Sequence, residues 1–465
     1  MAALNDWPWH YWRQRTPDDL ALRIGNTPLS WTQLAELIDQ KSAEFVRMGV
    51  RAGDGVMLRG KNSFRLLLSY LGLLQIAARC LPLNPQLPAA LLQQLLPRLD
   101  ISHKIDLTEE GDAMQEQKPG TCISHPWPSR RRHWQFAAWQ PSRAATLTLT
   151  SGSSGLPKAA VHSLAAHLAS AEGVLALLPF NRQDSWLLSL PLYHVSGQGI
   201  VWRWLFAGAT LVSGDEQPLA QALQGCSHAS LVPTQLWRLL EQQQLPSSLH
   251  DVLLGGAEIP LALTERAEQA GVRCWCGYGM TELASTVCAK RADGLPGVGN
   301  PLPGREVRIV DEEILVRADS LALGYWWSDG ILPLTDADGW FHTRDRGRWQ
   351  QGELCVAGRL DNLFFSGGEG IQPEDVERIL LGHAQINLVF IVPIDDAQYG
   401  QRPVAVIDSE GVVSLQTLLA WVEDKLINFQ RPVAVLQLPE QLKNGGIKIS
   451  RREVQQWVEQ QLRLQ

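Results

Sequence analysis

The sequence predicts an α/β fold: a large N-terminal domain of parallel-sheet βα layers plus a β-subdomain, followed by a small, mobile α+β C-terminal domain. Three observations predict it. From about Thr146 to Thr286 short apolar strand-like runs alternate with helical ones; from Pro296 to Trp349 the pattern becomes short strands and turns; after Gly358 a new mixture of capped helices and strands begins. With 465 residues, 45% of them hydrophobic, the chain can bury a large core and fill more than one domain.

The elements follow in chain order. WTQLAELIDQKSAEFVRMGV and FRLLLSYLGLLQIAA read as helices and GVMLRG as a strand, giving a section over about residues 20 to 140 fused to the main body. TLTLT leads through a Gly/Ser loop to the helical LAAHLASAEGVLALL, SWLLSL to GIVWRWLF, ASLVP to TQLWRLLEQQQ, and DVLLGG to LALTERAEQ, before VRCWCGYG. Such βα repeats imply parallel strands with helices on both faces and ligands at the carboxyl ends of the strands. DADGW and SDG mark turns in the β-rich stretch. Beyond it, Pro373 opens the helix PEDVERILL, LVFIVPI and PVAVI read as strands, and Ser414 and Ser450 stand as N-caps of two further helices. The domain boundary is placed at Arg359 to Asp361, dividing the chain into 1–358 and 359–465.

Composition excludes several classes. A formal charge of -7 speaks against a nucleic-acid binder, which needs a clustered cationic excess; Arg130, Arg131 and Arg132 read as a solvated loop. The opening residues lack a cationic flank followed by an apolar core, so no signal peptide is expected, and no window has the apolar length of a membrane span. Seven cysteines, scattered and odd in number, form neither a disulfide framework nor a zinc pattern, so reduced thiols in the cytoplasm are expected. Cys274 and Cys276 flank Trp275 in a strand-like run and read as core, as do most of the 18 tryptophans.

The chemistry begins at TSGSSGLPK. Thr150, Ser151, Gly152, Ser153, Ser154, Gly155 and Lys158 form a loop after a strand, whose backbone N–H and hydroxyl groups can wrap phosphate oxygens. It is not a Walker loop, because its glycines are closer together and Ala159 stands where a magnesium-binding hydroxyl would be. GGAE, with Gly256, Ala257 and Glu258, follows one strand, and YGMTE, with Tyr278, Gly279, Thr281 and Glu282, follows the next. A carboxylate beside a triphosphate is tolerable only with a divalent cation between them.

Together these strings resemble the adenylate-forming superfamily of acyl-CoA synthetases, luciferases and peptide-synthetase adenylation domains, and the resemblance covers nearly the whole chain. It implies ATP, CoA and Mg2+ as cofactors, adenine contacts at Gly256, Ala257, Glu258, Tyr278 and Gly279, a phosphate role for Thr281 and Thr150, and metal binding at Glu282. By the same resemblance Asp345 binds the ribose, although Arg344 replaces the usual preceding glycine. Arg359 lies near the ribose, Asp361 is the hinge, and Gly367 and Gly368 face the pantetheine arm of CoA. Lys448, in GGIKISR, matches the catalytic lysine, with Ile447 displacing the usual glycine to Gly446. His194 and Ser196 match the acyl-site segment, with a packed histidine as the alternative for His194.

Arg203 sits within the otherwise apolar GIVWRWLF, where a guanidinium either snorkels to water or meets an anion, here a second carboxylate on the substrate. SGGEGIQPEDVE and NGGIKISR resemble the o-succinylbenzoate-CoA ligases of menaquinone synthesis, which makes a small aromatic dicarboxylate the expected acid. Another aryl or medium-chain acid, or a nucleotide-binding regulator without catalysis, are the alternatives. Partners are thus small molecules, with neither nucleic acid nor membrane insertion, and homo-oligomerisation is left open.

Overall fold

The computed structural model describes residues 4–108, 136–150, 156–214, 217–257, 259–327, 330–396, 398–443 and 449–463. Arg130 to Arg132 lie outside the described residues. The chain divides into two units, Met1–Val307 with Val316–Phe341, and Arg308–Leu315 with His342–Gln465. The expected boundary after Gly358 falls inside the second unit.

The first unit is built on two sheets. In the nine-stranded sheet, Arg273–Met280, Asp251–Leu254, His228–Leu231, Ser185–Leu187, Thr210–Ser213 and Leu20–Ile24 lie side by side and are parallel, as the βα repeats require. The flanks are antiparallel: Ser285–Arg291 and then Asn300–Pro301 extend one side, and the hairpin partner Thr27–Ser30 closes the other. Short runs such as DVLL are buried along their whole length, hence their unbroken apolar character. Leu187, Leu231, Leu236, Val252, Leu254, Leu263 and Cys274 belong to one core cluster beneath this sheet. Cys274, Trp275 and Cys276 are all buried within Arg273–Met280, in agreement with the core reading.

The seven-stranded sheet corrects one expectation. TLTLT does not lead straight to a helix: Ala144–Thr150 pairs antiparallel with a further strand, Lys158–Ser163, and only then does the helix Leu164–Leu177 begin. KAAVHS has one exposed lysine followed by fully buried positions, so it lacks the alternation that would have marked it as a strand. Ser163 ends this strand and caps the helix, accepting from the Ala166 N–H at 3.0 Å. Ala144–Thr150 belongs to this second sheet, alongside Gly55–Arg59, Arg79–Leu83 and Ile101–Asp106, rather than to the sheet of the later βα repeats.

The second unit holds a separate core around Ile371, Val376, Leu380, Ile391, Ile407, Leu418 and Val422. Its long antiparallel pair, Ile386–Asp396 with Gly400–Ser409, carries the predicted LVFIVPI and PVAVI. The helix Pro373–Leu380 has proline in its first turn, and Ser414 and Ser450 accept from the N–H groups of Thr417 and Glu453 at 3.1 and 3.4 Å. Among the described residues, no helix is long and apolar enough to cross a membrane.

Candidate active site

In the first unit, Thr150 and Lys158 end the two strands of one hairpin and face each other in register. Ser151 to Gly155 lie outside the described residues, so the loop enters here through its two anchors. The Lys158 ammonium stands 4.9 Å from the centre of the Tyr325 ring. The Tyr325 hydroxyl in turn donates to Glu282 Oε1 at 2.7 Å. The phosphate-loop lysine and the YGMTE glutamate are thereby gathered on one tyrosine that no sequence motif singles out.

The YGMTE segment has a constrained shape. A β-bulge lies between Tyr278 and Gly279, and a Cβ on Gly279 would stand 1.8 Å from the Ser285 carbonyl oxygen, so only glycine fits. The chain then makes a single 3-10 turn, Thr281–Leu283, and passes through Ala284 and Ser285 at φ of 50° and 108°. Two successive non-glycine residues at positive φ store strain that the surroundings must hold. Three carbonyls in and just after the turn are tethered from different elements. Thr281 O accepts from His162 Nε2 at 2.8 Å, Glu282 O from the Ala322 N–H at 2.8 Å, and Ala284 O from Ser170 Oγ at 2.5 Å.

His162 is fully buried, and burial pushes its pKa down to about 4. It is therefore a neutral imidazole, with the proton on Nε2 because its partner there is a carbonyl. Its ring neighbours His167, which bonds Thr146 Oγ1 at 2.8 Å and stacks on Trp202 at 5.2 Å. Trp202 Nε1 donates to the Tyr70 hydroxyl at 3.3 Å. A buried polar chain thus runs from YGMTE to the helix Val195–Ala207.

Arg203 lies on that helix and is 2% exposed, which removes the snorkelling alternative. Its guanidinium donates to Ser230 Oγ at 3.1 Å and lies 4.5 Å from the Trp186 ring centre. Burial lowers its pKa to about 9, so it stays cationic at neutral pH, and no carboxylate of the described residues pairs with it. His194 stands at the N-cap position of the same helix, exposed, with its ring tilted against Tyr193 at 4.8 Å; Ser196 is in the first turn and partly buried. Gly256, at φ of 85°, and Ala257 are exposed just beyond the strand Asp251–Leu254, and Tyr278 is partly buried near the end of the next strand; Glu258 lies outside the described residues.

In the second unit, Asp345 is buried and accepts from Arg359 at 2.9 Å, and Arg359 also reaches Asp361 at 3.2 Å. Arg344 adopts φ of 61° and donates to Asp361 Oδ1. Gly367 and Gly368, at φ of 60° and 87°, form the two-residue turn between Phe364–Ser366 and Glu369–Ile371. The hairpin turn alone accounts for both glycines. Lys448 lies outside the described residues, but Arg451, three positions on, is held by Glu377 at 2.6 and 2.7 Å and by Ile391 O at 2.7 Å.

Residues 9–326 match the model of the AMP-binding enzyme family. The chain belongs to that family. It is 55% identical to a 2-succinylbenzoate–CoA ligase of Salmonella typhimurium, over 98% of each chain, and 54% identical to the one from Escherichia coli, over 98% of this chain and 99% of the relative. An E. coli MenE variant with bound OSB-AMS superimposes with a TM-score of 0.90 at 51% identity, covering 99% of this chain and 100% of that one. The Bacillus subtilis o-succinylbenzoate coenzyme A synthetase in complex with ATP and magnesium ion shares the fold, with a TM-score of 0.81 at 23% identity over 93% of this chain and 96% of that one. The α/β, acyl-CoA synthetase-like architecture expected from the sequence is thus established.

Within this AMP-binding enzyme, the described residues contain no cluster of His, Cys, Asp or Glu able to hold a metal alone. Glu282 offers a single carboxylate with one oxygen engaged by Tyr325. That suits Mg2+, which keeps water and triphosphate oxygens as its other ligands. His162, Ser230, Tyr325 and Glu377 carry no motif, because a lone residue in a strand or helix gives no spacing signal.

Proposed function

We propose that this AMP-binding enzyme is an ATP-dependent CoA ligase acting on 2-succinylbenzoate, the step that the sequence resemblance assigns to menaquinone synthesis. The observation that carries the reading is Arg203: a cation buried in an apolar helix without a carboxylate partner among the described residues. A buried guanidinium demands an anion, and its planar fork matches a carboxylate. The acid therefore has two carboxylates, one held by Arg203 and Ser230 and one free to react. Near-full-length identity to 2-succinylbenzoate–CoA ligases supports the same acid.

In the first half-reaction the free carboxylate attacks the α-phosphorus of ATP and pyrophosphate leaves. Two anions must meet. Lys158, the hydroxyl and N–H groups from Thr150 onward, and the ammonium of Lys448 offset their repulsion. Mg2+, held in part by Glu282, would shield the triphosphate charge. Tyr278, Gly256 and Ala257 line the adenine, and Asp345 with Arg359 take the ribose. In the second half-reaction the CoA thiolate attacks the acyl carbon and AMP departs; the small domain, 359–465, turns about Asp361 to exchange Lys448 for the loop at Gly367 and Gly368. His194 and Ser196 border the acyl group. The described cysteines are all buried and free, which suits a reducing cytoplasm.

The experiment compares 2-succinylbenzoate with its analogue lacking the ring carboxylate, in wild type and Arg203→Ala. Wild type should prefer the diacid by about 100-fold in kcat/KM, and the variant should lose most of that preference with the KM for ATP unchanged. A variant as selective as wild type removes the clamp.

A further inference from the structure

Tyr325 lies between two groups of opposite charge. Its hydroxyl donates to Glu282 Oε1 at 2.7 Å, and its ring centre is 4.9 Å from the Lys158 ammonium. Neither charged group ion-pairs with a described residue: the exposed Lys158 and the partly buried Glu282 meet the tyrosine from its ring face and its hydroxyl end. The backbone fixes the tyrosine. Tyr325 pairs with Ala160 in the strand that Lys158 opens and with Leu332 on its other side. The neighbouring Ala322 N–H donates to Glu282 O at 2.8 Å, so the segment that carries the phenol also holds the glutamate backbone.

From this geometry we infer that Tyr325 is a positioning residue. It occupies one oxygen of Glu282 and leaves the other for the magnesium of the nucleotide, while its ring keeps Lys158 from collapsing onto the carboxylate. The inference deepens the proposed role of Glu282 and rests on that reading. Supporting groups one bond behind a metal ligand typically change metal affinity by about 10- to 100-fold when removed. The phenol acts without touching the nucleotide's reacting atoms.

Tyr325→Phe removes the hydroxyl and keeps the ring, the strand pairing and the Lys158 contact. Binding of ATP is titrated calorimetrically to the whole protein with Mg2+ and with EDTA, for wild type, Tyr325→Phe and Glu282→Gln. Tyr325→Phe should weaken binding of Mg–ATP by about tenfold, leave metal-free ATP binding as in wild type, and raise the Mg2+ concentration for half-maximal pyrophosphate release by a similar factor. If Glu282→Gln loses the magnesium dependence while Tyr325→Phe binds Mg–ATP as wild type does, the positioning role is wrong and the glutamate role stands. If Glu282→Gln retains the magnesium dependence, the metal reading of Glu282 falls, and the inference with it. Equal weakening of metal-free and Mg–ATP binding by Tyr325→Phe assigns the tyrosine a general structural role and also overturns the inference.

Discussion

Arg344 donates to Asp361 Oδ1 at 3.1 Å while its own backbone stands at φ of 61°. The residue therefore occupies a left-handed position, and its side chain ties the strand Phe341–Gln350 to Asp361. Left-handed backbone costs a non-glycine residue about 1–2 kcal/mol, and a pair this exposed returns about 0–1 kcal/mol. Arg344→Ala should keep the strain and lose the pair, whereas Arg344→Gly should lose both. Urea unfolding should find the glycine variant more stable than the alanine variant by about 1 kcal/mol, the reverse of their usual order. The alanine variant proving the more stable would show that the backbone there is not strained.

The buried histidine beneath YGMTE makes stability depend on pH. His162 has its pKa lowered from 6.5 to about 4 by burial, with the hydrogen bond to Thr281 opposing. Its folded pKa is below its unfolded one, so the unfolded chain binds the extra proton. The stability tied to the neutral imidazole is complete above pH 6.5 and is lost progressively as pH falls towards about 4. The loss is of the order of 3 kcal/mol. Unfolding free energies of wild type and His162→Gln, measured from pH 7.5 to 4, should converge as the pH drops; a constant difference would mean that His162 does not titrate in this window.

In the second unit, Glu377 accepts from Arg451 at 2.6 and 2.7 Å and from the Ile391 N–H at 2.6 Å. Burial raises the Glu377 pKa, and Arg451 opposes that shift. Glu377→Gln leaves the partly buried Arg451 guanidinium with Glu374, at 3.6 Å, as its remaining counter-charge, at a cost of about 1–3 kcal/mol. Thermal unfolding should register the loss, and Arg451→Met added to Glu377→Gln should recover part of it. A double variant no more stable than the single one would mean that the two residues act independently.

Gly279 tests the shape of the nucleotide segment. Its absent Cβ would stand 1.8 Å from the Ser285 carbonyl oxygen, so Gly279→Ala must displace the turn that carries Thr281 and Glu282. Mg–ATP binding should weaken by at least tenfold with the nine-stranded core still folded, as judged by circular dichroism. Unaltered binding would show that the turn tolerates the shift.

The fold was largely legible because its parallel strands are short buried apolar runs set between helical stretches, as in Asp251–Leu254. Lys158–Ser163 was missed since five buried positions in a row carry no period-two signal. Motif residues were legible as strings, and Arg203 as a charge in an apolar run. Tyr325 and His162 were not, because their importance lies in what they touch across the fold: Glu282 and Thr281. Arg344 looked like a departure from a motif, and only its φ and its bond to Asp361 give it a physical role.

The most direct test follows pyrophosphate from purified protein given ATP, Mg2+ and 2-succinylbenzoate, first without CoA and then with it. Release should be limited to about one equivalent per enzyme without CoA, because the adenylate stays bound, and should become continuous, with AMP and the CoA thioester, once CoA is added. No pyrophosphate with this diacid, or equal release with simple monocarboxylic acids, would contradict the proposed function.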